Sequence, residues 1–246
     1  MDIPSIVGLI LTAVLCYFVS ATVHELGHII VGLLHGWRLF LLVVGPFGIR
    51  RNEKGKLSLY LEKNPALWGG VGGTFPQTES AENLKIWSKI LLGGPVVSVI
   101  MGCIFLPIGI VTQNIVPVLL GAMPVAMGIA CLLPLKTGIM YTDGMRWRRI
   151  RNGGQAAAEE AALFKLTENN FLGTGILEFA NFEALLDADL PAIRYYGYYY
   201  AHLFYKDKRD EDKAREYIAL MDAIKKNVPK VIIDDCNLLN AETRTI

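Results

Sequence analysis

Charged residues are scarce in this 246-residue chain, and two long stretches contain none. They make up 19% of the sequence, below the roughly 25% of soluble domains. Residues 3–23 and 90–135 contain no Asp, Glu, Lys or Arg, whereas the sequence after Arg146 is rich in charge. The net charge of +1 averages these unlike halves and indicates no partner by itself. The pattern predicts a membrane domain over residues 1–150 and a small soluble domain over residues 151–246.

Cysteine is also rare, with four residues and no CxxC pair. Three of the four lie inside apolar runs, so neither a disulfide framework nor a thiolate zinc site is indicated. We interpret the cysteines as small core residues. They are Cys16, Cys103, Cys131 and Cys236.

The uncharged stretches predict three membrane spans. About 20 apolar residues suffice for one helix to cross a bilayer, so residues 90–135 are long enough for two crossings. Their polar break lies at Thr112-Gln113-Asn114, where we expect the turn. The first run is too long for a signal-peptide core and lacks preceding basic residues, which favours a retained span. The expected spans cover about residues 3–34, 86–111 and 116–141.

Basic residues predict the orientation of these spans, because cytoplasmic loops are enriched in Lys and Arg. The N-terminus and the turn near Thr112 carry none. The N-terminus is therefore expected outside, with the first loop and the C-terminal domain in the cytoplasm, as in an integral protein of a bacterial plasma membrane. The basic residues that flank the spans are Arg38, Arg50, Arg51, Lys54, Lys56, Lys85, Lys89, Arg146, Arg148, Arg149 and Arg151.

The first loop predicts a β-hairpin at the membrane surface, over about residues 39–62. Residues 39–44 are apolar, Asn52-Glu53-Lys54-Gly55 is a turn signal, and residues 57–61 alternate with a period of two. The edge of such a hairpin could receive an extended substrate strand, or the hairpin could only cover the protein. The glycine-rich residues 67–76 lack a phosphate-binding fingerprint and read as a re-entrant segment or an ordinary connector.

The soluble half predicts an all-α domain. Helical patterns cover residues 155–166 and 179–186, followed by an antiparallel pair over 192–205 and 214–224. This pair resembles one tetratricopeptide-like hairpin, although stacked repeats usually need about three units. Its tyrosine cluster is interpreted as packing or as a binding groove, so a protein partner that docks on these helices is one expectation.

The pentapeptide HELGH at residues 24–28 carries the chemistry. On a helix, His24 and His28 lie on one face, offset by about 40°. This is the spacing with which one helix supplies two zinc ligands, and Glu25 is then placed to activate a zinc-bound water. Because the motif ends an apolar segment, it indicates hydrolysis within or beside the bilayer.

A catalytic zinc needs a third protein ligand, and Asp143 is the candidate. It follows the third span at the cytoplasmic side, where the topology also places His24 and His28. An ionisable residue at the edge of a span is a functional hypothesis by default. The alternative is that Asp143 caps a helix or pairs with Arg146.

The order of these motifs is similar to that of the site-2 protease family of intramembrane zinc metalloproteases, peptidase family M50. The resemblance rests on HELGH in a first span, Gly93-Gly94-Pro95 opening a second and Asp143-Gly144 after a third. It covers about residues 1–150 and implies a three-transmembrane-helix metalloprotease core with membrane-associated strands that receive substrate. It also implies one Zn²⁺ per chain bound by His24, His28 and Asp143, with Glu25 as the catalytic base.

One departure from the family concerns substrate handling. Family members often carry an asparagine before a proline in the stretch that leads to the aspartate, and here Ala130–Pro134 has the proline alone. Lys136 or Thr142 is a candidate to hold substrate in its place. Lys136 could instead be an interfacial anchor, and His35 is out of register with the histidine face and reads as an interfacial residue.

The predicted function is therefore zinc-dependent hydrolysis of peptide bonds in membrane-spanning or membrane-adjacent substrates, as in regulated intramembrane proteolysis. The expected partners are the lipid bilayer and a membrane protein or peptide substrate, and no nucleic acid. The alternative is a catalytically silent binding or immunity protein on the same scaffold. A small transporter is a third hypothesis, disfavoured by three spans without an inverted repeat.

Overall fold

The computed structural model describes residues 3–52, 55–137, 140–172, 177–234 and 236. Glu53 and Lys54 of the expected hairpin turn, and residues 138–139 of the expected third span, lie outside the described residues. The chain divides into two compact units. The first comprises the residues up to Pro134 together with Thr142–Trp147, and the second comprises Leu135–Tyr141 and the residues from Arg148 onward.

Three long apolar helices build the first unit. They are α1 (Ile3–Leu34), α2 (Asn83–Thr112) and α3 (Ile115–Leu132). Each is long and apolar enough to cross a membrane by its length and composition. Exposed Ile, Leu and Val side chains recur along all three, as expected of helices that face lipid.

Helices α2 and α3 are joined by a turn inside the expected polar break. Gln113 adopts a left-handed conformation with φ of 52°, which ends α2. The side chain of Asn114 then caps α3 by accepting a hydrogen bond of 2.9 Å from the N–H of Val116. The two helices meet at small residues, since a Cβ on Gly121 would lie 2.4 Å from the backbone nitrogen of Leu106.

The third helix is shorter than the sequence pattern predicts. It ends at Leu132, and Leu133 is extended with ψ of 133°. Pro134 explains the difference, because the residue before a proline is driven out of the helical region. Lys136 and Tyr141 form an isolated antiparallel bridge, and a new helix, α4 (Asp143–Asn152), begins at Asp143.

The expected hairpin is part of a larger antiparallel sheet. Its strands are β1 (Arg38–Val44), β2 (Phe47–Arg51), β3 (Leu57–Leu61) and β4 (Val71–Phe75), in the order β3-β2-β1-β4. Strand β4 comes from the glycine-rich segment, so that segment is a strand rather than a connector. Strand β3 exposes every second residue, with Leu59 82% exposed, which leaves an apolar face on the sheet.

The described part of the second unit is built mainly from helices. Helix α5 covers Gly154–Leu172, and two short 3-10 turns replace the helix expected over residues 179–186. Helices α6 (Pro191–Asp207) and α7 (Glu211–Ile224) form the expected antiparallel pair. At least one tyrosine of α6 packs in the core of this unit, since Tyr199 is only 1% exposed.

A buried ion-pair cluster, formed by Arg149, Glu159 and Glu160, joins the end of α4 to α5 in this unit. The guanidinium of Arg149 donates hydrogen bonds to the carboxylates of Glu159 and Glu160, the latter at 3.0 Å. It also lies over the ring of Tyr141, 4.1 Å from the centroid. All three charged side chains are less than 9% exposed, so the guanidinium of Arg149 compensates buried negative charge.

Candidate metal centre

Helix α1 places His24, Glu25 and His28 on its packed side near its C-terminal end. The two histidines are 4% and 8% exposed, and their rings lie 5.0 Å apart between centroids. Leu26, which points in another direction, is exposed. The helical period therefore turns both imidazoles inward toward the same point.

Glycines let α1 and α2 approach closely at this level. A Cβ on Gly27, the fourth residue of HELGH, would lie 2.5 Å from the carbonyl oxygen of Gly93. A Cβ on Gly94 would lie 2.3 Å from Nε2 of His28. Both positions exclude any side chain, so Gly27, Gly93 and Gly94 bring the α2 backbone against the histidines.

Helix α2 holds both imidazole rings through Nδ1. Nδ1 of His24 lies 2.9 Å from Oγ of the fully buried Ser98, and Nδ1 of His28 lies 2.7 Å from the carbonyl oxygen of Ile90. A carbonyl can only accept, so Nδ1 of His28 carries a proton, and in the neutral imidazole Nε2 is then the nitrogen with the lone pair. The N–H of Gly94 also points at this nitrogen from 3.3 Å, but the shorter contact with Ile90 decides the tautomer.

Asp143 completes the cluster. Its Oδ2 lies 3.6 Å from Nε2 of His24 and 3.6 Å from Nε2 of His28. The first turn of α4 packs tightly on the end of α3, where a Cβ on Gly144 would lie 2.0 Å from the carbonyl oxygen of Leu132. Asp143 thus places its carboxylate against the histidines, and Gly144 makes a close contact with Leu132 that no residue with a side chain could make.

The Asp143 carboxyl is ionised at neutral pH. Burial by itself would raise the pKa of this carboxyl, but His24 and His28 beside it hold the pKa well below its usual range. Asp143 therefore meets the two nitrogens as a carboxylate. The guanidinium of Arg146, the alternative partner, lies over the ring of Trp87 at 5.3 Å from the centroid.

These donors fit a zinc ion. Tetrahedral ligands at about 2.0–2.3 Å from zinc are separated from each other by roughly 3.3–3.8 Å, and both nitrogen-to-oxygen distances of 3.6 Å fall in this range. Two imidazoles held at Nδ1 and one carboxylate are a donor set of catalytic zinc sites. His24, His28 and Asp143 are thus the residues that could hold the metal.

Glu25 lies beside this cluster, against strand β4. Its carboxylate interacts electrostatically with His28, His24 and Asp143 and accepts a hydrogen bond from the N–H of Gly72. A Cβ on Gly72 would lie 2.8 Å from Oε2 of Glu25, and one on Gly70 would lie 2.9 Å from Oε1. Gly72 of β4 and Gly70, which precedes the strand, together form a surface without side chains against the Glu25 carboxylate.

Three other residues considered from the sequence have different surroundings. Lys136 pairs with Asp189 at 3.2 Å in the second unit. Thr142 donates its hydroxyl to the carbonyl of Leu133 at 2.6 Å. His35 contacts the carbonyl of Val31 through Nδ1 and lies 3.4 Å from Nζ of Lys89 through Nε2. A substrate-holding role for Lys136 or Thr142 stays a prediction.

Sequence reasoning missed three contributors to the centre. Ser98 is the single hydroxyl residue between positions 90 and 111, and this was a usable signal for a polar contact inside a span. Gly72 gave no signal, because its role depends on the pairing of β4 with β1. Cys131, interpreted as a core residue, is half-buried and has its sulfur near His24 and Asp143.

Comparison with known proteins gives one match. The family model described as peptidase family M50 matches residues 12–238, which is most of the chain. No curated protein and no solved structure matches the chain.

Proposed function

Because the chain belongs to peptidase family M50, the site-2 protease family of membrane metalloproteases, we propose that it is a zinc-dependent endopeptidase of membrane-spanning or membrane-adjacent peptides. One Zn²⁺ per chain is held by His24, His28 and Asp143, and Glu25 is the catalytic base. The cleavage takes place at the membrane, as in regulated intramembrane proteolysis.

The convergence of three donor atoms carries this proposal. Nε2 of His24 and Nε2 of His28 each lie 3.6 Å from Oδ2 of Asp143, although Asp143 is more than 100 residues from either histidine in the chain. Structural histidines need no such arrangement, since their Nδ1 contacts with Ser98 and Ile90 already satisfy one nitrogen of each ring. A shared focus of two nitrogens and a carboxylate supports metal binding.

Zinc bound there supplies Lewis-acid chemistry, which makes water a nucleophile near neutral pH and polarises the scissile carbonyl. Glu25 takes the proton of the attacking water on its carboxylate and returns it to the leaving amine. The hydrogen bond from Gly72 orients this carboxylate. The carbonyl of Ile90 keeps the proton of His28 on Nδ1, away from the metal side of the ring, and Ser98 holds Nδ1 of His24 by a hydrogen bond.

Strand β4 suggests how a substrate is presented. It stands at one edge of the described sheet and carries Gly72 beside Glu25, with Gly70 just before it. A peptide that adds to this edge as a further strand would place an extended backbone next to the base, which is the conformation that peptide hydrolysis requires.

The spans are proposed with the N-terminus outside and the second unit in the cytoplasm.

The decisive variant is Glu25→Gln, which removes the base but keeps its shape. Membrane proteomes of cells that express the native enzyme or Glu25→Gln are compared, together with the zinc content of both purified proteins. We expect an uncut membrane protein to accumulate with Glu25→Gln only, with equal zinc in both preparations. Glu82→Gln, at an exposed position, is the matched control and should cleave normally.

Two results would contradict the proposal. Full turnover by Glu25→Gln would exclude Glu25 as the base. Absence of both zinc and cleavage in the native protein would favour a silent binding protein on the same scaffold.

A further inference from the structure

Cys131 lies at the metal centre rather than in a separate core. It is in the last turn of α3, one residue before the helix ends at Leu132. The ligand atoms of His24, Cys131 and Asp143 all lie within 4.8 Å of one another. The sulfur is therefore part of the same donor cluster as two of the three proposed ligands.

The sulfur of Cys131 needs only a small movement to bind a zinc ion held by His24 and Asp143. Ligand atoms on one tetrahedral zinc are separated by roughly 3.3–3.8 Å, with zinc–sulfur bonds of about 2.3 Å. A sulfur within 4.8 Å of both partners needs to move by at most about 1.0–1.5 Å to reach this separation. Cys131 is only half-buried, so its side chain has room to rotate.

The preference of zinc for thiolate ligands also favours a bond between the metal and Cys131. Thiolate is a softer and stronger zinc donor than water, and a coordinating thiol is deprotonated by the metal. Asp143 supplies one negative charge to the site, so the two imidazoles and the carboxylate leave a bound Zn²⁺ with a charge of +1. A thiolate would neutralise that charge in a partly dehydrated environment.

We propose that Cys131 is a fourth protein ligand of the zinc, which closes the site in its resting form. Four protein donors characterise closed zinc sites, whereas catalytic sites keep one position open. The thiolate must leave before water or a peptide carbonyl can take that position, so substrate entry and loss of the Cys131 bond are coupled. The inference rests on the proposed zinc site and adds a ligand to it.

Cobalt substitution tests this directly, without an activity assay. The full chain in detergent is stripped of metal and loaded with Co²⁺, and its absorption spectrum is recorded. The native protein should show intense thiolate-to-cobalt charge transfer in the near ultraviolet together with visible ligand-field bands. Cys131→Ser should lose the charge-transfer band and keep the visible bands, while Cys103→Ser, at an exposed position on α2, should keep both.

The outcomes separate this inference from the proposed function. Visible bands without charge transfer in the native protein would overturn Cys131 as a ligand and leave His24, His28 and Asp143 in place. Absence of all bands in the native protein would overturn the metal site itself, and the ligation by Cys131 with it. An unchanged charge-transfer band in Cys131→Ser would also refute the inference.

Thiol modification provides a second measurement. Zinc should slow the alkylation of Cys131 at least about tenfold, because a thiolate bound to the metal is not free to attack the alkylating reagent. Cys103 in the same sample is the internal control and should react at one rate with or without zinc. The protection should disappear in His24→Ala. Equal alkylation of Cys131 with and without bound zinc would contradict the proposal.

Discussion

Replacement of Gly72 by alanine should slow peptide cleavage while leaving the zinc in place. The added Cβ would lie 2.8 Å from Oε2 of Glu25 and 3.1 Å from its Cβ and its carbonyl oxygen. Ordinary contact begins at about 3.4 Å, so the carboxylate has to move by about 0.6 Å. The metal ligands are on other side chains, and we expect the zinc content to stay at the native value.

The size of the effect follows from the precision that catalysis demands. A misplacement of about 1 Å costs on the order of 100-fold in rate. A shift of roughly half that distance should lower kcat/KM by about 10- to 100-fold, which corresponds to about 1.4–2.7 kcal/mol of transition-state stabilisation. The loss should fall mainly on kcat, because Glu25 acts on the proton in transit rather than on substrate binding.

Gly73→Ala is the matched control on the same strand. A Cβ on Gly73 would meet its nearest neighbour, the ring of Phe75, at 3.8 Å, which is ordinary contact. Both variants are assayed by single-turnover cleavage of the membrane protein that accumulates with Glu25→Gln, alongside zinc content and thermal unfolding. If Gly72→Ala and Gly73→Ala cleave at equal rates, the inferred support of Glu25 by β4 is wrong.

Three further predictions concern packing, charge and ligation. Gly27→Ala should separate α1 from α2, because its Cβ would lie 2.5 Å from the carbonyl oxygen of Gly93. Unfolding in detergent should show a destabilisation of about 1–3 kcal/mol, and chelator competition should show a lower zinc affinity. Gly8→Ala, whose Cβ would have no atom within 4 Å, should match the native protein in both assays. Arg149→Met should destabilise the full chain by about 3–5 kcal/mol, since it removes the guanidinium that pairs with the buried carboxylates of Glu159 and Glu160. Exposed Arg148→Met should stay within about 0.5 kcal/mol. Equal unfolding of both variants would show that the cluster does not stabilise the fold. His35→Ala should retain one zinc per chain by metal analysis, because Nδ1 of His35 contacts the carbonyl of Val31 and Nε2 contacts Lys89. Loss of the metal in this variant would show that the proposed set of ligands is incomplete.

The apolar helices and the histidine pair could be predicted from the sequence because each depends on local patterning. Charge-free runs fix the approximate positions of α1, α2 and α3, and a spacing of four residues puts His24 and His28 on one face. The end of α3 is a local effect of Pro134 that a hydropathy pattern does not register.

Contacts between distant segments could not be predicted in the same way. Strand β4 contains the adjacent glycines Gly72 and Gly73, which are depleted in strands, and its pairing with β1 is visible only in the structure. The approach of Cys131 to His24 and Asp143 likewise depends on where α3 ends and α4 begins. In both cases the side chain gives no periodic signal, and tertiary packing decides its role.

Helix α2 holds the imidazoles of both His24 and His28, and this affects how the metal enters and leaves the site. Helix α2 supplies none of the three proposed ligands, yet Ser98 and Ile90 hold both rings by Nδ1, and Gly93 and Gly94 leave no room between the backbones. Rotation of either ring away from zinc would break a buried hydrogen bond and collide with α2. Metal exchange should therefore be limited by the rate at which α1 and α2 separate, so that slow exchange measures the lifetime of a helix contact in the membrane.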